Sequence, residues 1–531
     1  MLEEHGIGID ILGLCQNDHN TESFLYRYSW DLEDLTSYPW ERHYIQGPEV
    51  LAYLRHVVQR HKLRQYFQFR TELTKAQWDE SEGRWVVEVS TGQIFKPKYL
   101  VTALGLLSRQ NLPNIPGIND FKGEIHHTAR WPEGLDLTGK RVGVIGNGST
   151  GVQVIISVAK VAKQLISFQR TPQYSVPSGD REVHPDYRKD VNERYLEIWD
   201  KAKNSMFAFG FEESKRPMSS VTAEERERIF EEAWQMGGGF KFMFWTFCDI
   251  STDETANHYA ADFIRRKIKN TVKDPEKARI LTPTDYYARR PLCDSGYYQT
   301  FNRDNVDLVD LKATPITAIT STGIETGDGK VHELDVIIFA TGFDAVDGNY
   351  TRIVIRGRNG ANLKDHWEDV GPTSYLGISV PNFPNMFMIL GPNGPFTNLP
   401  PTIETQVEFI SELIDTAEKK AATTVLTTNG TSTSTGTGTS TSNSISSSSS
   451  DPTTTPTIVL EATPEAEAEW TDLCDKLSAP SLFRKTDSWI FGANVPGKKP
   501  AVMFFFGGLA NYRKALKEVV DNGLKGFKPL D

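Results

Sequence analysis

The sequence predicts an α/β fold with two parallel-sheet units, one of them split along the chain and the other carrying a helical insertion. Three observations carry this expectation. A short β-rich run, Arg141 to Ile145, passes through Gly146, Gly148 and Gly151 into a helical stretch ending near Lys163, and a second strand, Leu165 to Phe168, follows. Two strand-like runs that resemble each other, Tyr99 to Gly105 and Glu333 to Asp344, flank this unit. Between Pro177 and Pro283 the pattern turns helical and charged, with Glu193 to Trp199 and Glu224 to Trp234 as amphipathic pieces.

The first observation is specific because the glycines lie between a strand and a helix inside a βαβ unit, the arrangement of a Rossmann-type dinucleotide site. Gly146 permits the tight turn, Gly148 lets the backbone approach a pyrophosphate, and Gly151 allows close helix packing. The helix start supplies free N–H groups and the positive end of a dipole. An ordinary glycine turn is the alternative. At the end of the second strand an NAD site calls for Asp or Glu to accept from the ribose 2′-hydroxyl. This chain has Gln169-Arg170-Thr171, and the cation suits a 2′-phosphate, which favours NADPH unless Arg170 is only a surface residue.

The matching strands then suggest a second dinucleotide domain interrupted by the first. The expected domains are a first part of that second domain at 1–132, an NADP domain at 133–330 with its insertion at 178–283, a further part of the second domain at 331–426, and its C-terminal part at 458–531. A helix is expected over about 402–420, with Val407, Ile410 and Ile414 at helical spacing. Residues 427–457 are almost all Ser, Thr and Gly and cannot bury enough apolar surface to offset their ordering entropy, so they read as a disordered loop. A glycosylated or phosphorylated stalk is the alternative.

Composition narrows the function classes. At 531 residues the chain is too long for one core, and 38% apolar residues suffice for several. Its 58 Lys and Arg against 69 Asp and Glu leave a net charge of −11, which argues against nucleic acid or an anionic membrane as partner. The four cysteines, Cys15, Cys248, Cys293 and Cys474, lie far apart with no metal-ligand spacing, so neither a disulfide framework nor a metal site is expected. No run of 18 apolar residues exists and no targeting signal is evident at either end, so a cytosolic protein without a membrane span is expected. Protein partners are not legible.

Phe121-Lys-Gly123-Glu-Ile-His-His127-Thr-Ala-Arg-Trp131-Pro132 matches the pattern FxGxxxHxxxWP. On this run the chain resembles the Baeyer–Villiger monooxygenases, class B flavoproteins of the cyclohexanone and steroid monooxygenase type. The Trp-Pro ending separates it from the related flavin-containing and N-hydroxylating monooxygenases, which stay as a further alternative. Similar runs follow in order: Gly146 to Gln153, Phe168 to Thr171, Arg289 to Pro291, Phe301 to Val306, Ala340 to Asp344, Thr373 to Gly377 and Asp487 to Lys498.

The resemblance implies a reaction in which NADPH reduces FAD, O2 adds to give a C4a-peroxyflavin, and the peroxide attacks a ketone to yield an ester or lactone. It places the catalytic arginine on Arg290, whose guanidinium would stabilise the anions of the reaction; a structural arginine in an Arg-Arg-Pro turn is the alternative. It implies NADP contacts at Gly146, Asn147, Gly148, Ser149, Thr150, Gly151, Gln153, Arg170, Thr171, Arg289 and Trp489, and flavin contacts at Tyr26 and Asp344. Arg289 would assist Arg170 with the 2′-phosphate, and Trp489 would cover the nicotinamide end. For Trp489 the match of the Ser-Trp-x-x-Gly-Ala-Asn run decides against ordinary core packing. Phe121, Gly123, His127 and Trp131 would serve the interdomain linker and its motions, not the chemistry.

The chain departs from the family at its start. The family opens with a strand and its own GxGxxG, which hold the FAD pyrophosphate. Here Gly6, Gly8 and Gly13 are the only glycines before Gly47, and they lack that pattern. The family's catalytic-site Asp falls on Asn20, with Asp18 two residues off register. The expectation is therefore an N-terminally truncated flavin domain, read either as an incomplete frame of an ordinary enzyme or as a short product surviving as an NADPH-binding or interaction protein. The chain as written is expected to hold FAD poorly.

Overall fold

The computed structural model describes residues 21–368, 371–430, 458–495 and 497–530, without the side chains of 424–430. The expectations for Gly6, Gly8, Gly13, Cys15, Asp18 and Asn20, and for residues 431–457, lie outside the described residues.

The elements that position the site are, along the chain, β1 (Leu100–Thr102), β2 (Glu124–His127), β3 (Arg141–Ile145), α1 (Ser149–Val158), β4 (Gln164–Gln169), α2 (Tyr195–Lys203), β5 (Val306–Asp310), β6 (Val336–Phe339), β7 (Met386–Met388), α3 (Leu399–Gly430) and α4 (Pro464–Ser478). One five-stranded sheet runs in the order β5-β4-β3-β6-β2 with every pair parallel. Parallel sheets are covered on both faces, so their inner strands read as unbroken apolar runs. Strand β6, Val-Ile-Ile-Phe, is buried at all four positions. Because all five strands point the same way, their carboxyl ends gather Gly146, Arg170, Ala340 and Thr128 along one edge, where such sheets bind ligands.

Two expectations are corrected here. The resemblance between the runs around β1 and β6 does not make them members of one sheet. Strand β6 lies inside the five-stranded sheet, Phe339 pairing with Ile145 on one side and His127 on the other, whereas β1 pairs with β7. The boundaries at 132/133 and 330/331 therefore cut off two strands, β2 and β6, that belong to the NADP-type sheet. A four-residue apolar strand fits the centre of either sheet, so its local sequence does not choose between them. Helix α1 also ends at Val158, not near Lys163. The Lys163 N–H is drawn to the Lys140 carbonyl at 2.9 Å to start β4.

Six helices of the insertion lie between Pro185 and Leu281. The apolar faces of the last four, from Ala223 on, join α1, β3 and β6 in the largest buried cluster, whereas Val191, Tyr195, Trp199 and Ala202 of the first two pack on Phe24, Leu25, Leu35 and Trp40. Helix α3 extends beyond the expected 402–420 and takes in the first four residues of the stretch read as loop, Thr427 to Gly430. The smaller sheets mix both senses, Leu73–Asp79 pairing antiparallel with Arg84–Val89 and parallel with Val354–Arg356. No helix of the described residues is long and apolar enough to cross a membrane.

Candidate active site

The turn from β3 into α1 is built for close approach. Gly146 has φ 103°, and a methyl there would lie 2.5 Å from the Ala340 carbonyl oxygen. One on Gly151 would lie 2.4 Å from the Gly146 oxygen. Gly148, by contrast, faces open space with no atom within 4 Å of where its Cβ would be. It is the N-cap of α1 and provides no side-chain cap, so the first helical N–H groups are left for a ligand. Ser149 and Thr150 stand in that first turn. A pyrophosphate fits this hollow.

Next to it, Asn147 Nδ2 donates to Gln169 Oε1 at 2.8 Å, and Gln169 Nε2 donates to the Ile280 carbonyl at 2.9 Å. This buried relay ties the turn to the insertion and uses up the residue where an NAD site would keep an acid. Arg170 follows, exposed, with no ion pair among the described residues, and Thr171 is half-buried beside it. Arg289 differs: its Nη2 lies 2.6 Å from Asp285 Oδ2 and its Nε donates to the Asp487 carbonyl at 3.1 Å. Sequence reasoning missed this pair, although Asp285 stands four residues before it.

Arg290 turns toward Phe240, one ring of an aromatic cluster. It is half-buried, and its Nη1 is shut off from solvent with no hydrogen-bond partner. Its guanidinium carbon lies 5.8 Å from the centre of the Phe240 ring. Burial pulls the guanidinium below its ordinary pKa and pushes the phenol of Tyr26 up, with each group opposing the other's shift. An arginine remains cationic through such shifts. Phe209 stacks on Phe240 at 4.2 Å and Phe207 on Phe244 at 3.8 Å. Asn398 closes this wall onto another chain segment, its N–H donating to the Phe207 carbonyl and its Nδ2 to the Ala208 carbonyl, both at 2.9 Å. Beyond it Phe396 stacks on Phe506 at 5.3 Å. The phenylalanines were not singled out in the sequence, although Phe207-Ala-Phe-Gly-Phe211 and Phe240-Lys-Phe-Met-Phe244 are visible clusters.

An orphaned N–H on a buried cation calls for an anionic or polar acceptor, which a flavin that gains electrons in its cycle provides. The Arg290 environment thus fits FAD. Asp344, expected at the flavin, is engaged by Lys498 Nζ at 2.7 Å and by Arg109 at 3.4 Å. Trp489 is half-buried and meets Phe504 edge-on at 5.9 Å.

The Phe121 to Trp131 run holds the edge of the five-stranded sheet. A methyl on Gly123 would lie 2.3 Å from the Asp335 carbonyl oxygen and 2.6 Å from the Phe121 ring, while Phe121 and Trp131 are buried. His127 closes β2, its Nδ1 accepting from the Ala129 N–H at 3.0 Å. Burial pulls its pKa down to about 4, so the imidazole is neutral at neutral pH.

A family model described as Flavin-binding monooxygenase-like matches residues 23–185. Over 95% of its length the chain is 49% identical to a Baeyer-Villiger monooxygenase of Pseudooceanicola batsensis, covering 86% of that protein. It is also 49% identical to a cyclohexanone 1,2-monooxygenase of an Acinetobacter species, over 96% of this chain and 87% of the relative. The structure of cyclohexanone monooxygenase from Rhodococcus sp. Phi1 bound to NADP+ superposes with a TM-score of 0.89 at 51% identity, over 98% of this chain and 91% of that one. With relatives of this closeness over nearly its whole length, the chain belongs to the Baeyer–Villiger monooxygenases, which use FAD and NADPH.

Proposed function

We propose that this chain inserts one oxygen atom of O2 into a small apolar ketone, cyclic or aryl-bearing, to give a lactone or ester, with Arg290 as the catalytic residue. The observation that carries this reading is the unpartnered Nη1 of Arg290 inside a wall of phenylalanines. The redox chemistry is the flavin's, which takes hydride from NADPH and activates O2 when bound.

The protein's own residues do the remainder. The Gly146 to Gly151 turn holds the NADP pyrophosphate, with Asn147, Ser149, Thr150 and Gln153 around it. Arg170 takes the 2′-phosphate, assisted by Thr171 and by Arg289, whose guanidinium Asp285 orients. Trp489 covers the nicotinamide end. The guanidinium of Arg290 is a planar fork aimed at oxygen that becomes anionic as the carbonyl is attacked, and Tyr26 lies beside it. Phe207, Phe209, Phe240, Phe244, Phe396 and Phe506 exclude water, which strengthens that electrostatic term, and they offer a ketone nothing but apolar surface. A cytosolic setting is part of this reading, and Cys248, Cys293 and Cys474 form no disulfide among the described residues.

The test is to supply the protein with FAD, NADPH, cyclohexanone and 18O2 and to count product per NADPH consumed. Lactone carrying a single 18O atom is expected. NADPH consumption yielding only hydrogen peroxide would overturn the reading.

A further inference from the structure

Asn398, the residue before helix α3, is 4% exposed and has each of its polar atoms committed. Its N–H donates to the Phe207 carbonyl and its Nδ2 to the Ala208 carbonyl, both at 2.9 Å. Its Oδ1 accepts from Thr21 Oγ1 at 2.9 Å, and its own carbonyl accepts from Thr402 Oγ1 at 2.8 Å. Thr21 in turn bonds the phenol of Tyr26, the group beside Arg290. One buried amide thus joins the start of α3, the segment that follows α2, and the surroundings of Arg290.

What it holds is a strained residue. Ala208 is fully buried and has φ 60°, in the left-handed region that a Cβ disfavours. Such a residue persists where its surroundings over-determine it. Here every backbone polar group of Phe207 and Ala208 is taken. The Phe207 N–H donates to Glu213 Oε1 at 2.9 Å, the Ala208 N–H donates to Ser205 Oγ at 3.0 Å, and both carbonyls accept from Asn398. The kink decides where two rings go. Phe207 and Phe209 flank Ala208, and they stack on Phe244 and Phe240, whose ring centres stand 6.1 Å apart. Phe240 is the ring that Arg290 faces. Rotation about φ of Ala208 swings Phe207 against Phe209, so the two stacks do not both survive it.

We propose that Asn398 is a positioning residue that sets the selectivity of the site for the bulk of the ketone. Its amide, with Ser205 supporting the same residue from its N–H side, holds Ala208 left-handed and so fixes the spacing of the phenylalanine rings beside Arg290. The inference rests on the proposed function, in which those rings face the ketone. Asn398 acts through Ala208, not by contact with ketone or cofactor. A wall that is correctly formed for only a fraction of the time raises KM for a ketone that fits it by the inverse of that fraction and leaves kcat, since binding selects the correct state. A ketone too large for the intact slot gains from a loosened one.

The experiment uses the full chain supplied with FAD, with cyclohexanone and 4-phenylcyclohexanone as probes. It reads kcat and KM for each ketone and the rate of flavin reduction by NADPH. Asn398→Asp keeps an acceptor for Thr21 and removes the donor to Ala208. If Ala208 then stays left-handed a tenth of the time, KM for cyclohexanone rises about tenfold with kcat kept, and the preference for cyclohexanone over 4-phenylcyclohexanone in kcat/KM falls about tenfold. Flavin reduction stays within about twofold, which a general loss of structure would not allow. Adding Ala208→Gly recovers most of the loss, because glycine takes positive φ without strain. A merely structural Asn398 gives no such recovery, since glycine adds no contact and loosens the unfolded chain. Ser205→Ala removes the milder support and lowers the same preference about threefold, the worth of one ordinary hydrogen bond. A preference within about twofold of the parent in flavin-loaded Asn398→Asp, or no recovery with glycine, overturns the inference. So does an unchanged preference in Ser205→Ala where Asn398→Asp fails to hold flavin. In each of these cases a parent that makes lactone leaves the proposed function standing, whereas a parent that makes none overturns that function and this inference with it.

Discussion

Arg170 and Arg290 stand at opposite ends of the proposed NADP site and use the same side chain in opposite solvents. Arg170 ends a strand in open water with no ion partner among the described residues, and Arg290 sits beside an aromatic cluster with one nitrogen shut off from water. A charge in water is screened and contributes modestly to binding, whereas one in a dry enclosure acts through a lower dielectric on whatever charge develops beside it. The difference teaches why, in the proposed function, the exposed arginine is the one to select the cofactor and the enclosed one to serve the reaction.

The largest effect that could break this contrast is at Arg290. Arg290→Ala is expected to lower product formation about 10²- to 10³-fold while leaving NADPH binding within a few-fold, and Arg290→Lys should rescue poorly because a point charge cannot reproduce the fork. Turnover near the parent rate in a ketone assay would make the two arginines alike.

His127 extends the comparison to a group that burial keeps uncharged. Its folded pKa of about 4 lies below the ordinary value near 6.5, so the unfolded chain binds the extra proton first. Stability is full above about pH 6.5 and is lost as pH falls toward 4, by ~2 kcal/mol at pH 5. His127→Asn keeps an acceptor near the Ala129 N–H and removes the titration. Urea midpoints at pH 5 and 7.5 should therefore differ less in the variant, and an unchanged difference would show that His127 does not titrate in this way.

The smallest effect is at the exposed end. Arg170→Ala is expected to reduce the preference for NADPH over NADH about tenfold, the worth of a charge-assisted bond to phosphate. Salt should weaken NADPH binding in the parent more steeply than in this variant, because screening acts on the exposed contact. Equal salt slopes would blur the distinction between the two ends.

How much of this was legible follows the range over which each feature is encoded. The β3 to α1 turn is local: its glycines, helix start and following Arg170 lie within thirty residues, and periodicity with glycine spacing reads them. The place of β6 was not legible, because its partners β2 and β3 lie about 190 residues and more away and its own four apolar residues suit either sheet. The phenylalanine wall gathers from four distant stretches, 207–211, 240–244, Phe396 and Phe506, which only the tertiary fold brings together. Arg290 was reached through the resemblance to a family, since nothing in its spacing distinguishes it from Arg289. The fold then separates them, giving Arg289 a carboxylate and Arg290 none.

The insertion of β6 between β3 and β2 has a consequence for how the chain is made. When β3 leaves the ribosome, the strand that joins it to β2 is still unmade, and about 190 residues must be added first. At 5–20 residues per second that is roughly 10–40 s during which β3 and β2 each present an unpaired strand edge. The insertion helices between Ala223 and Leu281 emerge in this interval, and their apolar faces pack in the same cluster as β3. Their packing covers one face of β3 before β6 arrives, while its open edge waits for β6 itself, so a chain lacking these helices would be made with that face bare as well.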